Sequence, residues 1–372
     1  VRDYNNIKHH IIPGKQINSI NDVINSLVGL HAARLSTPYV TLLSRLTDFK
    51  TLDLQNQLFK SRELILLRCM RQTLHIVPLE LAPIVHQATL SFRRAECQRI
   101  YKKLDMPTLV HEKLHEEITN LLRATPASST TIYETLKTSN ALKDFATAEM
   151  RKKIISAVIK YLWENGVLCY INASEYWGKE KRLYGYTHDL YPALNFENID
   201  PIEAQQRLIF NHIKSYGPVT EKDISWWSGL SQKTVKACLE QISKQIMKIT
   251  IADLEGEFYI DNNSLDDLAV SKEHRVNWIN LLAYEDPSLK GYFESRNRYI
   301  DSMYYSNLFN KIGEARASIF VNGKVAGIWS LEKKQYVKVK WKAFETLDTK
   351  LSLMLNQLIQ RFEEKLSEGS LC

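Results

Sequence analysis

Cysteine is scarce and scattered in this chain: there are 5, at Cys69, Cys97, Cys169, Cys238 and Cys372, and no two have metal-ligand spacing. An odd, dispersed set excludes a disulfide framework and a zinc cluster, and reads as reduced thiols in an intracellular protein. Glycine is also sparse, at 13 residues, and none of it forms a phosphate-binding loop. No apolar run is long enough to span a bilayer and no signal peptide is visible, so a membrane partner is excluded and a cytoplasmic location is expected. Low-complexity segments are absent, and no Ser/His/Asp arrangement emerges from spacing. Neither a metal nor an organic cofactor is expected. His9-His10 reads as a mobile, solvated pair rather than a metal site.

What is present is an ordinary globular composition. Of the 372 residues, 44% are hydrophobic and 24% are charged, enough for real cores and, by length, roughly two to four units. A net charge of +7 suits a polyanionic partner without requiring one.

The most legible stretch lies between Asp200 and Ile260. A helix from Pro201 to Tyr216 is broken at Gly217-Pro218, and a second is capped by Thr220 with Asp223. Trp226-Trp227-Ser228-Gly229-Leu230 makes a turn, and a third helix, Ser231 to Ser243, carries Lys233 and Lys236. Two strand-like runs follow, Ile246 to Ala252 and Glu257 to Ile260, joined at Glu255-Gly256. Three helices and a hairpin are the order of a winged helix, whose third helix can enter the DNA major groove. Trp226-Trp227 reads as core of this unit, with base stacking as the alternative.

The same order recurs. In a first unit, Asn21-Asp22 caps a helix through Leu30, Ser36-Thr37-Pro38 starts a second, and Leu52 to Glu63 is a third. Leu64 to Arg68 and Thr73 to Val77 would form its hairpin, and Pro78 to Lys103 a linking helix with a cationic end at Arg93, Arg94, Arg99, Lys102 and Lys103. In a second unit, Val110 to Ala124, Ser129 to Leu136 and Thr147 to Asn165 are helices, the last with Arg151, Lys152 and Lys153 near its start. Its strands, Val167 to Ile171 and Leu183 to Thr187, are joined by a long tip holding Tyr176, Trp177, Lys179, Lys181 and Arg182. Cations there can meet phosphates and a ring can wedge against a base step; the alternative is a solvated loop with one aromatic packed beneath it.

After Asn277 the pattern turns to strands: Trp278 to Tyr284, Ala317 to Val321, Lys324 to Trp329 and Tyr336 to Trp341. Asn322-Gly323 between two of them is a strong hairpin signal. A final amphipathic helix, Thr349 to Leu366, should pack on that sheet. Asp286, before Pro287, reads as the start of a local Asx-type turn rather than as an acid. The expected architecture is α+β: three tandem winged-helix modules (16–106 with the linking helix, 107–195, 200–265) and a C-terminal β-rich domain (275–372).

One region resists a purely structural account. Gly29-Leu30-His31-Ala32-Ala33-Arg34 places His31 and Arg34 near one another, and Arg68-Cys69-Met70-Arg71-Gln72-Thr73-Leu74-His75 adds Arg68, Arg71 and a histidine on the hairpin of the same unit. Polar residues inside apolar runs cost free energy unless paired or exposed for use. A hydrogen-bond network tying helix to hairpin and a functional site both fit.

These stretches, with Ser225-Trp226-Trp227-Ser228-Gly229-Leu230, the run Tyr284 to Tyr292 and the run Val321 to Trp329, resemble the winged-helix DNA glycosylases typified by AlkZ and AlkX. The matches fall in order across nearly the whole chain. The resemblance implies a basic concave surface for double-stranded DNA and removal of N7-alkylated purines, with bulky adducts or interstrand crosslinks as further substrates, by a monofunctional enzyme. Family members carry Gln-x-Gln or Gln-x-Asp where this chain has His31-Ala32-Ala33, so His31 would be the water-positioning catalytic residue and Ala33 offers no polar group. Arg34, Arg68 and Arg71 would surround the lesion or its phosphates. Lys152, Lys153, Tyr176, Trp177, Lys179, Lys181, Arg182 and Lys233 would contact DNA along the modules. The protein is expected to act as a monomer. The alternative is a duplex-DNA-binding protein without catalysis, in a regulatory role.

Overall fold

The computed structural model describes residues 1–174, 176–270, 277–333 and 337–368. Cys372, read above as a reduced thiol, Tyr336, read as the start of a strand, and Glu175 in the hairpin tip lie outside the described residues.

The chain opens with helix α1 (Arg2–Lys8), which sequence patterning did not single out. The segment after it runs inward because Ile11 and Ile12 are fully buried. His9, just before them, is buried too: it is 1% exposed, with Nε2 3.0 Å from the Ser215 carbonyl and its ring edge-on to Tyr216. The solvated His9-His10 pair is therefore a misreading; apolar neighbours pull His9 into the core.

Helix α2 (Ile20–Ser26) is capped by Ser19, which accepts from the Asp22 amide, rather than by Asn21-Asp22. It stops four residues short of Leu30 because Val28 and Gly29 take φ of 53° and 107°. The chain then reverses into strand β1 (Leu30–His31). Glycine is required at position 29: a Cβ there would lie 3.0 Å from Val77 Cγ1 on a left-handed backbone. Helices α3 (Ser36–Leu43) and α4 (Thr51–Gln55) follow, then strands β2 (Leu64–Arg68) and β3 (Leu74–Pro78). All pairs are antiparallel in the order β1-β3-β2, which sets His31 across from His75.

Helix α5 (Ala82–Lys103) links this unit to α6 (Thr108–Ala124), α7 (Ser129–Leu136), α8 (Ala148–Glu164), β4 (Leu168–Asn172) and β5 (Arg182–Tyr186). Leu114, Ile132, Ile155 and Leu168 give this second unit its own core. Arg93 is not part of a cationic surface. It is buried beside Glu164, which also holds Arg68 at 3.0 Å and Lys160 at 3.1 Å, tying α5, β2 and α8 together.

After the short α9 (Thr187–Leu190) come α10 (Pro201–Tyr216), α11 (Glu221–Ser228) and α12 (Gln232–Gln241), then β6 (Ile246–Ile251) and β7 (Leu254–Asp261). The Thr220–Asp223 capping box is present in both directions. The hairpin turns at Ala252-Asp253, not at Glu255-Gly256, since Ile251 pairs with Leu254. Gly256, at φ 106°, instead sits opposite a shift in register between Ile249 and Ile251, where its conformational freedom absorbs a bulge.

A short helix α13 (Ser264–Val270) precedes the last unit. Strands β8 (Ile279–Leu282), β9 (Ser318–Val321), β10 (Lys324–Lys333) and β11 (Val337–Ala343) form an antiparallel sheet in the order β11-β10-β9-β8. Asn322 and Gly323, at φ 49° and 81°, make the tight turn between β9 and β10. Between β8 and β9 lie α14 (Pro287–Lys290) and α15 (Tyr305–Leu308). Helix α16 (Thr349–Ser367) buries Leu355, Phe362 and Leu366 against the sheet. The same core takes in Leu43, Leu54 and Leu64, so the first and last units share one interior.

Candidate active site

The β1–β3 register brings His31 and His75 ring to ring, centroids 5.4 Å apart and nearly perpendicular. Both are buried. The His75 Nδ1 lies 3.1 Å from the Thr73 carbonyl, which can only accept, so Nδ1 carries the hydrogen and Nε2 keeps a lone pair when the ring is neutral. His31 is 8% exposed and its Nδ1 has no hydrogen-bond partner among the described residues. Burial holds the His31 pKa well below its ordinary value, helped by repulsion from His75 when that ring is protonated and by the nearby Lys290 and Arg71 charges. Burial likewise pushes His75 down to about 4, against a raising contribution from the Thr73 hydrogen bond. Both rings are therefore neutral bases near neutral pH.

The pair opens on a cavity of about 30 Å³, room for bound water, lined by Gly29, Met70, Arg71, Tyr216, Trp227 and Lys290 among others. Arg71 and Gln72 stand in the β2–β3 turn with φ of 51° and 59°. The left-handed turn aims the Arg71 guanidinium over Trp226, 3.9 Å from the ring centroid. Lys290 Nζ lies 4.4 Å from the same ring and 3.0 Å from Glu285, whose own φ is 55°. Burial lowers the Lys290 pKa to about 8, with Glu285 opposing it. Asp286 does make the local turn bond, accepting from the Ser288 amide at 2.9 Å. It also holds Arg45 in a fully buried two-pronged ion pair at 2.6 and 3.0 Å, a partner not apparent from sequence.

The remaining expected residues are dispersed. Arg34 is exposed, its guanidinium 3.4 Å over the Tyr284 ring, at the rim of a cleft of about 910 Å³ that runs to Trp329, Lys340 and Trp341. Arg68 is taken up by Glu164 and the Gln72 carbonyl. Lys152, Lys153 and Lys233 are exposed on α8 and α12, Lys153 pairing with Glu149. At the tip of the second hairpin, Lys179 and Lys181 are exposed, while Arg182 is paired with Glu180 and lies over Tyr170. Trp177 cannot be a DNA wedge as folded. It is 1% exposed, packs on Tyr39 and donates from Nε1 to the Leu366 carbonyl, because an indole this large is better buried between α3 and α16 than solvated. Tyr176 is half-buried against it.

Sequence reasoning did not place Glu285, Lys290 or Arg296 in a site, and gave His75, in the candidate region, no role of its own. His75 had a signal, a polar residue within a β-prone apolar run. The others lie just before α14, on it and in the loop after it, and only folding brings them to β1. Trp227 is core, stacked on His212, whereas Trp226 is half-buried at the site. Among the described residues no cluster of three or more His, Cys, Asp or Glu side chains could hold a metal ion. No helix among them is long and apolar enough to cross a membrane.

The site thus sets two buried, neutral histidines beside the half-buried Trp226 ring, over which Arg71 and Lys290 bring positive charge. Residues 24–365 match the model of the family "DNA glycosylase AlkZ-like", and the chain belongs to that family. Its fold is similar to that of Streptomyces sahachiroi DNA glycosylase AlkZ, with a TM-score of 0.77 and 17% identity over 98% of this chain and 96% of that one. Among curated protein sequences none matches this chain. Family membership gives the chain a DNA glycosylase role, with DNA as substrate and an N-glycosyl bond as the bond hydrolysed.

Proposed function

We propose that the protein acts as a monomer on double-stranded DNA and removes N7-alkylated purines without forming a covalent enzyme intermediate. The observation that carries this reading is a buried, neutral His31 that lines a water-sized cavity and whose Nδ1 has no partner among the described residues. Alkylation at N7 makes the purine cationic, so the bond from C1′ to N9 breaks with its electrons going to the base, which leaves neutral. The sugar carries the positive charge that results. Water bound between His31 and the lone pair of His75 Nε2 adds to C1′, and its proton passes to His31 and on to solvent. The three helix-and-hairpin units are read as winged helices that hold the duplex, with Lys152, Lys153, Lys179, Lys181 and Lys233 on phosphates. The wide cleft beyond Arg34 leaves room for a bulky adduct on the base.

Release of 7-methylguanine from methylated duplex DNA tests this reading. His31→Ala should lower the rate about 10²–10⁴-fold, the usual share of a positioned base, with duplex affinity kept. Exposed Ala33, which offers no polar group, favours the second reading, a DNA binder without catalysis. Tight duplex binding with no base released would establish that second reading.

A further inference from the structure

Three cations surround one half-buried indole beside the His31 cavity. The Arg71, Lys290 and Arg296 charges lie 3.9, 4.4 and 4.7 Å from the Trp226 centroid. Two carboxylates face them. Glu285 is taken up by Lys290 and by the Ala315 amide, and Glu314 by the Tyr284 hydroxyl and Asn310. Three positive groups against two negative ones leave one charge uncompensated, and Arg34 adds to the positive side near Glu314.

Two donors in this group lack acceptors. Arg71 makes no hydrogen bond or ion pair with a described residue, although a left-handed backbone at two successive non-glycine residues holds it in place. Such strain persists where surrounding structure enforces it, often at ligand sites. Arg296 is 4% exposed; its Nε and Nη1 reach the Tyr292 carbonyl and the Tyr305 hydroxyl, but Nη2 has no partner among the described residues. The Arg296 Nη2 is a buried donor without a described acceptor, which is costly, Arg71 is half-buried beside it, and an anionic oxygen is the group that satisfies guanidinium forks best.

We propose that Arg71, Lys290 and Arg296 form an oxyanion site on the Trp226 platform, and that its occupant is one phosphodiester of the DNA strand next to the nucleotide presented to His31. The proposal rests on the duplex-DNA reading above. Fixing that phosphate would orient the sugar so that C1′ faces the water held at His31, a positioning role. A phosphodiester is the fitting occupant because duplex DNA supplies one such charge every ~1.7 Å of axis.

The test is a set of duplexes carrying a stable abasic-site analogue, each with a single uncharged methylphosphonate at one position flanking it. The parent protein should lose affinity about tenfold at one position, the size of one charged hydrogen bond. Arg71→Gln and Arg296→Gln should bind the all-phosphate duplex as weakly and be indifferent to methylphosphonate at that position. Each should also lower the slope of log affinity against log salt by about 0.9. Arg71 makes no hydrogen bond or ion pair with a described residue, so Arg71→Gln keeps the test decisive should Arg296→Gln fail to fold. A methylphosphonate effect that persists unchanged in Arg71→Gln, or that appears at no position, overturns the site. So does a site filled by inorganic phosphate alone, with no methylphosphonate effect. Base release is scored separately: its absence with the phosphate effect intact would remove the glycosylase reading and leave this site standing.

Discussion

At the residue scale, the chemistry depends on burial changing ordinary side chains. His31 and His75 are common histidines made into neutral bases by their surroundings, and nothing in their own spacing announces it. The Arg45–Asp286 pair is the structural counterpart. Both members are fully buried, and Asp286 also caps α14, which carries Lys290 to the site. Asp286→Ala leaves the Arg45 charge buried without its partner, a loss of about 3–5 kcal/mol. Chemical denaturation should show that loss; a cost below about 1 kcal/mol would mean that Arg45 finds another acceptor.

At the element scale, the hairpin of β4 and β5 separates into two parts. Its exposed cations are expendable for folding, whereas its indole is an anchor. Lys179→Ala with Lys181→Ala should change stability by no more than about ±0.5 kcal/mol each. Duplex affinity should fall and the salt slope become shallower by up to about 1.8, two phosphate contacts at ~0.9 each. Trp177→Ala should instead cost about 3–5 kcal/mol, because it empties a filled site between α3 and α16. Equal binding by the lysine variant would take the hairpin off the DNA surface. Here legibility was mixed: the paired strands were visible as alternating runs, and the tip's cations as cations. One packed aromatic at the tip was among the alternatives, but that it is Trp177 and what it packs on were not visible, since its partners Tyr39 and Leu366 lie 138 residues before and 189 after it.

At the scale of the whole molecule, buried histidines set the response to acid. His75 and His212 are lowered to about 4 from an ordinary 6.5, and His9, His31 and His86 are also held well below 6.5, in every case chiefly by burial. A folded state that resists protonation binds fewer protons than the unfolded chain below pH 6.5, so stability declines as pH falls through the window from 6.5 toward 4. Base release should decline over the lower part of that window as His75 takes up a proton. Melting temperatures that stay level from pH 7 to pH 5 would contradict this account.

Local periodicity and capping determined much of the chain. Pro201–Tyr216 is a helix with the bounds its pattern implied, Thr220 and Asp223 form their capping box, and Asn322-Gly323 turns between two strands. Those features depend on residues within a few positions of one another. The site does not. His31 faces His75 through a register that depends on Gly29, and it shares a cavity with Lys290, 259 residues onward. Trp226 reaches Arg71, Lys290 and Arg296 from three separate elements. Only tertiary packing decides such meetings, because they are set by which apolar faces are buried together, and charge, pKa and unpaired donors follow from that burial.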